Sequence, residues 1–362
     1  MQQVLFQIPF TSIPIYGYGF MLFCAFLGCT LLAVRLGARV GYPKAPMQDL
    51  VVWLMVSGIV GARLTYIIRY WERFDHLGQL FAVWDGGLIF YGSIPGALVG
   101  YTIAYNLQLR HYNVSHWKIA DIVAPGLALG LCLGRVGCLL NGCCFGNVAC
   151  GSCPAVEFPF SSPPRQVMVE RGHITPAGFL TGRDDATVLA VEPMSPLAAM
   201  MGPGDKVKKV VAPSEKEPFD AVTAFGPKWP RGERRMELEV EAPNGIARRV
   251  GPVAPSTIGL HPTQIYESIS MALLLFFLLS YYPYKTRDAS LMVIFMFAYG
   301  IHRFLNEMLR TDTEVVAFGL TLSQNISVAV LIAATVLAVI VWRKKQETIA
   351  AVTPPVVSTI SN

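Results

Sequence analysis

Charge is scarce in this chain. Of its 362 residues only 15% are Asp, Glu, Lys or Arg, against about 25% in ordinary soluble domains. A globule of this size cannot cover its surface with so few charges, which excludes a soluble fold. Lys and Arg are absent before Arg35. A cleavable signal peptide needs a basic leading segment and a small-residue cleavage site, so the apolar stretch 16–34 is expected to stay as a helix. The net charge is only +5, far from the dense basic surface of a nucleic-acid binder. Apolar residues, by contrast, are plentiful: 53% are hydrophobic, and the mean hydropathy is +0.46. Disorder is excluded outside short tails, and a multi-pass membrane protein is the first reading.

The few charges are unevenly spread. Residues 151–260 hold 13 Lys/Arg, 13 Asp/Glu and 15 of the 25 prolines. The chain therefore reads as a membrane body, 1–150 and 261–345, interrupted by a soluble head at 151–260 and followed by a polar, disordered tail at 346–362. A crossing helix needs about 20 apolar residues. Seven such stretches are present, roughly 16–34, 50–68, 88–106, 119–140, 264–282, 289–307 and 321–342. The expected fold class is an all-α polytopic membrane protein of seven transmembrane helices, with a mainly β insert between the fourth and fifth. One set of connecting loops holds Arg35, Arg39, Lys44, Arg110, Lys118, Lys285, Arg287, Arg343, Lys344 and Lys345; the other holds only Arg69, Arg73 and Arg310. The positive-inside rule puts the first set in the cytoplasm. The N-terminus and the insert are then extracytoplasmic, and the C-terminus is cytoplasmic.

Charged residues within membrane spans cost several kcal/mol and mark candidate sites. Arg63 sits mid-span. Arg135, Glu267, Arg303 and Glu307 all fall at the outward ends of their helices. Arg303 and Glu307 are spaced i, i+4 and can pair on one face. Glycine-rich breaks lie at the same depth: Asp85-Gly86-Gly87, Tyr91-Gly92-Ser93, Gly142 and Gly146. Such breaks expose backbone N–H groups to anions, and guanidinium forks suit phosphate. The alternatives are a set of structural ion pairs and a cationic pocket for an anionic, phosphate-bearing lipid.

The segment Gly134-Arg135-Val136-Gly137-Cys138-Leu139-Leu140-Asn141-Gly142-Cys143-Cys144-Phe145-Gly146 resembles the signature of the prolipoprotein diacylglyceryl transferase family. His261-Pro262-Thr263-Gln264-Ile265-Tyr266-Glu267 resembles a second family segment, and Tyr299-Gly300 with Arg303, Glu307 and Arg310 a third. Ile15-Tyr16-Gly17 and Gly61-Ala62-Arg63-Leu64 match its early motifs. The resemblance implies transfer of a diacylglyceryl group from phosphatidylglycerol to the lipobox cysteine of preprolipoproteins in the bacterial cytoplasmic (inner) membrane. The products are a thioether and glycerol phosphate. It implies Arg135, Arg303, Tyr91 and Glu307 as catalytic positions. Tyr16, Arg63, Gly92, Asn141, Gly142, Gly146, His261, Gln264 and Glu267 are implied for substrate binding. No cofactor, no metal and no nucleic-acid partner is expected; the expected partners are the two substrates and membrane lipid.

The chain departs from the family pattern in places. Tyr91 stands where many members have a histidine, Cys138 replaces an asparagine, Cys143 a glutamate, and Ser93 a glycine. With an ordinary pKa of about 10, a tyrosine is a weak base at neutral pH, so Tyr91 is read as a hydroxyl that orients phosphate or ester, with His302 as an alternative base. Six of the eight cysteines crowd into 132–153. Their outward placement favours disulfides; free packed thiols are one alternative, and the spacing Cys150-x-x-Cys153 also suits zinc or redox chemistry. In the insert, residues 188–198 running into 202–207, with the alternating strand 236–241, resemble a PDZ core, and Gly178-Phe179-Leu180 a carboxylate loop. Such a module binds extended peptide by strand addition; a purely structural head is the alternative. Two other functions compete: a membrane thiol–disulfide oxidoreductase, and a non-catalytic relative that binds precursors or headgroups.

Overall fold

A computed structural model describes residues 4–7, 14–74, 76–81, 87–150, 152–158, 164, 167–168, 178–181, 186–193, 195–212, 236–253, 259–310 and 315–343. Asp85, Gly86 and the tail expectation at 346–362 lie outside them. The long helices are α1 (Gly17–Arg39), α2 (Lys44–Arg69), α3 (Phe90–Leu107), α4 (His116–Asn141), α5 (Thr263–Tyr281), α6 (Ser290–Glu307) and α7 (Leu322–Arg343). Hydropathy leads one to expect seven passes. Among the described residues, five helices are long and apolar enough to cross a membrane: α1, α2, α4, α5 and α7. The other two, α3 and α6, stand at the third and sixth expected positions and are 18 residues each. Tyrosines, glycines and Pro95 dilute α3. Polar residues from His302 to Glu307 occupy the end of α6.

The helix pairs α2/α3, α1/α4, α4/α5 and α6/α7 carry most of the packing. Glycine lets α2 and α3 approach to backbone contact. A methyl on Gly96 would meet the Ser57 carbonyl and Gly61 Cα, the latter at 2.9 Å. One on Gly92 would meet Thr65 and, at 2.5 Å, the Gly61 carbonyl. Helices in lipid associate through such small-residue faces, because burial from lipid supplies little hydrophobic drive. Gly96→Ala is therefore expected to lower thermal stability in detergent, by about 1–3 kcal/mol of overpacking. Gly126→Ala, whose added methyl meets nothing within 4 Å, should leave the melting temperature nearly unchanged. Equal melting of the two variants would refute this packing.

At the other end of the bundle, Asp121 of α4 ties down the start of α6. Its carboxylate accepts from the backbone N–H of Ala289 at 2.8 Å and Leu291 at 2.9 Å, and from Lys285 Nζ at 2.6 Å. Burial lowers the Lys285 pKa, but the Asp121 and Asp288 carboxylates outweigh it and hold the ammonium above its usual value. An acidic group at a helix N-terminus satisfies otherwise orphaned N–H groups and complements the helix dipole.

Strands are short and antiparallel. β1 (Val4–Gln7) pairs with β2 (Pro14–Tyr16), and β3 (Phe179–Thr181) with β4 (Val188–Val191). β5 (Lys206–Ala212), β6 (Met236–Glu241) and β7 (Ala247–Val253) form a three-stranded sheet. β8 (Val315–Ala317) and β9 (Leu320–Thr321) make a hairpin before α7. The insert has its own apolar core, with Phe179, Val188, Leu197, Val207, Leu238, Val240 and Val250 buried together. Ser195 caps the 3-10 turn Pro196–Ala199, its Oγ accepting from the Leu197 N–H. The alternation in Met236–Glu241 does form a strand, as its period-2 pattern predicts.

Candidate active site

The bundle brings the C-terminal ends of α4 and α6 together with the N-terminal ends of α3, α5 and α7. Residues far apart in sequence meet there. Glu267, 1% exposed, lies at the centre. Its Oε2 is 3.0 Å from Arg135 Nε and 3.3 Å from Arg303 Nη1, and it accepts from Asn306 Nδ2 at 3.2 Å. Arg303 Nη2 lies 2.8 Å from Glu307 Oε2, so the expected i, i+4 pair forms. Glu307 also faces Arg310 at 3.9 Å and accepts from Thr321 Oγ1 at 3.2 Å. Three guanidiniums thus meet two carboxylates in one buried network. A buried array of this kind offsets its desolvation cost only when its charges are paired.

Tyr91 joins this network through one hydroxyl. Its OH is 2.7 Å from Ser323 Oγ, which accepts from Arg303 Nη2 at 2.8 Å. Beneath the cluster, α4 ends at Asn141, and Gly142 caps it at φ +76°. That left-handed turn folds the chain back so that the Cys143 N–H reaches the Cys138 carbonyl at 3.1 Å. Gln264 and Thr263, opening α5, then donate to the Cys143 and Cys144 carbonyls at 2.7 and 2.6 Å. Gly146 donates its N–H to the His261 carbonyl at 2.9 Å. A methyl there would lie 2.7 Å from that carbonyl, so close backbone approach requires glycine. His261 Nδ1 lies 3.4 Å from the Tyr266 hydroxyl.

Other expected residues take other places. Arg63 donates to the carbonyls of Gln79, Leu80 and Gly87 at 2.5, 3.0 and 3.0 Å, so it holds the segment that leads into α3. Gly92 packs on α2. Tyr16 stands at the N-cap position of α1 without a side-chain capping bond, is 47% exposed and pairs with Val4. His302 Nε2 is buried with no hydrogen-bond partner among the described residues. Cys150 and Cys153 are bonded to one another, so their spacing serves a disulfide and not a pair of zinc ligands. The expectation of disulfides does not extend to the rest of the cluster: Cys132, Cys138, Cys143 and Cys144 are free thiols.

Ser323, Asn306 and Thr321 belong to the network without having been expected. Being neutral, they lack the charge that marks Arg135 and Glu267 in apolar runs, although Ser323-Gln324-Asn325 opening such a run is a visible polar signal. Three buried acceptors of the cluster, Glu267 Oε1, Asn306 Oδ1 and Gln264 Oε1, have no hydrogen-bond partner among the described residues.

A family model described as prolipoprotein diacylglyceryl transferase matches residues 3–340. A phosphatidylglycerol–prolipoprotein diacylglyceryl transferase of Rhodopirellula baltica is 29% identical over 378 residues, covering 92% of this chain and 73% of that protein. One from Clostridium tetani is 24% identical over 332 residues, covering 92% and 94%. A second enzyme of that name from Clostridium perfringens is 35% identical over 152 residues, 42% of this chain and 57% of the relative. With nearly the whole chain matched and the motif residues Arg135, Glu267, Arg303 and Glu307 joined in one buried network, the protein belongs to the prolipoprotein diacylglyceryl transferase family.

Proposed function

We propose that this protein transfers the diacylglyceryl group of phosphatidylglycerol to the lipobox cysteine of preprolipoproteins, the lipid-attaching step of lipoprotein maturation. The observation that carries this reading is the buried Arg135–Glu267–Arg303–Glu307–Arg310 array, which gathers three guanidiniums at one end of the helix bundle. The substrate thiol gives up its proton to water and its sulfur attacks a glyceryl carbon; the C–S bond forms as the C–O bond to phosphate breaks, and glycerol phosphate leaves. Negative charge grows on the departing phosphate, and prearranged guanidiniums in a water-poor site stabilise that growth. The unpartnered oxygens of Glu267, Asn306 and Gln264 suit hydroxyl donors such as those of a glycerol headgroup. The arginines and these acceptors favour lipid transfer over thiol–disulfide exchange.

In this proposal all seven helices cross the bacterial cytoplasmic membrane, with the N-terminus and the 151–260 head outside and the C-terminus inside. The membrane body comprises 1–150 and 261–345. The head is PDZ-like and receives extended peptide; its Gly178 at φ +82° before β3, its capped turn at Ser195 and its antiparallel sheet support that reading. The test is complementation of a bacterium depleted of its transferase, following precursor lipidation. Restored lipidation supports the reading, and unlipidated precursor beside correctly inserted protein refutes it.

Tyr91 supplies one hydroxyl and not a base. Tyr91→Phe is expected to slow transfer by about tenfold, the value of one lost hydrogen bond, and raising the pH should not restore the rate. Complete loss of transfer with lipid binding intact would make Tyr91 the base.

A further inference from the structure

The thiols of Cys138, Cys143 and Cys144 converge at the end of α4. Their three sulfurs lie within 4.8 Å of one another, with Cys138 buried. This convergence is built by the turn. Gly142 reverses the chain, and Cys144 itself takes φ +60°, a left-handed conformation that a side chain rarely adopts without a compensating gain. Helix α5 clamps the arrangement through Gln264 and Thr263. Three sulfurs around a tetrahedral ion, each ~2.3 Å from it, stand roughly 3.8 Å apart, so the trio needs only a small contraction to share one.

A disulfide explains the trio less well. Cys143 and Cys144 are neighbours, with Cα atoms ~3.8 Å apart, below the ~4.4–6.8 Å that an unstrained bridge spans. Any other pairing leaves a third thiol facing the bond. The surroundings also suit a bound cation with three thiolates. The complex of one divalent ion with three thiolates carries a net negative charge, which Arg135 would balance: its Nη1 is 4.0 Å from Cys138 Sγ.

We propose that Cys138, Cys143 and Cys144 form a thiolate site for Zn²⁺ with an open fourth position, and that this position takes the thiol of the acceptor peptide. Soft sulfur ligands select such metals, and a three-ligand zinc site with an open position is the arrangement used in catalysis. The second half rests on the transferase reading. On binding, the acceptor thiol becomes a thiolate and releases its proton to water, so no protein base is required. The sulfur is then held next to the arginines that receive the phosphate, because Arg135 borders both groups.

The experiment uses the full-length protein purified in detergent and exchanged into Zn²⁺ or Co²⁺. Elemental analysis after gel filtration is expected to find about one zinc per chain. Cys138→Ser, Cys143→Ser and Cys144→Ser should each lower that content severalfold, while the Cys150→Ser/Cys153→Ser double variant keeps it. The cobalt protein should show thiolate-to-metal charge-transfer absorption that rises when a lipobox peptide is added, and not with its Cys→Ser counterpart. Zinc-free protein whose three cysteines alkylate as free thiols, or pair as a disulfide, overturns the site. A cobalt spectrum indifferent to the cysteine peptide overturns the open position. Metal and peptide binding without any lipid transfer would sink the transferase reading alone; transfer by stoichiometrically zinc-free protein would sink this site alone.

Discussion

Arg303→Ala is expected to lower lipid transfer by on the order of a hundredfold to a thousandfold, while the protein still inserts in the membrane. Arg303 is the residue through which the site is wired: it contacts Glu267 at 3.3 Å, Glu307 at 2.8 Å and Ser323 at 2.8 Å. Removing one prearranged donor from an oxyanion site costs roughly 3–4 kcal/mol of transition-state stabilisation. Arg303→Lys keeps the charge but loses the planar fork that spans two carboxylates, so partial recovery is expected and full recovery is not. The measurement is the rate at which a labelled precursor acquires lipid, with Arg135→Ala beside it as a second loss of phosphate contact. Near-normal lipidation by Arg303→Ala would remove the main mechanistic claim.

Glu267→Gln is the second large effect, and it is expected in stability as well as activity. The carboxylate is 1% exposed and serves two cations, Arg135 at 3.0 Å and Arg303 at 3.3 Å. Stripping its charge takes from Arg135 the carboxylate it pairs with and leaves Arg303 with Glu307 alone; breaking a buried pair in this way costs about 3–5 kcal/mol. Thermal unfolding in detergent should shift down clearly, and transfer should fall with it. The double variant Glu267→Gln/Arg135→Gln removes both charges, and its stability loss should be less than the sum of the two single losses. Strict additivity would show that the pair does not interact.

Much of this was legible in the sequence because membrane burial is severe about charge. Arg135, Glu267, Arg303 and Glu307 stand out in apolar runs, and their common position near helix ends follows from counting residues along each span. The Arg303–Glu307 contact follows from helical spacing alone. The shared position of Glu267 between Arg135 and Arg303 could not be read, since it depends on which helices lie side by side, and no periodicity records that. The same limit explains Arg63. Its burial was expected, but its partners, the carbonyls of Gln79, Leu80 and Gly87, come from a segment that carries no complementary charge to announce the contact.

The cysteines divide in the same way. Six of them crowding between 132 and 153 is visible at once, and local spacing alone makes a Cys150–Cys153 bond possible. That Cys138, Cys143 and Cys144 point at one another depends on a left-handed reversal at Gly142 and on a helix 120 residues further on that holds the turn in place. By itself, then, the sequence determined composition-driven properties: apolar helices, their order, a separate polar insert, and which residues cannot rest in lipid unpaired. Tertiary structure alone decided the partners. Ion pairing and ligand convergence require positions within a few ångströms, and those are set by helix packing across segments the chain visits far apart.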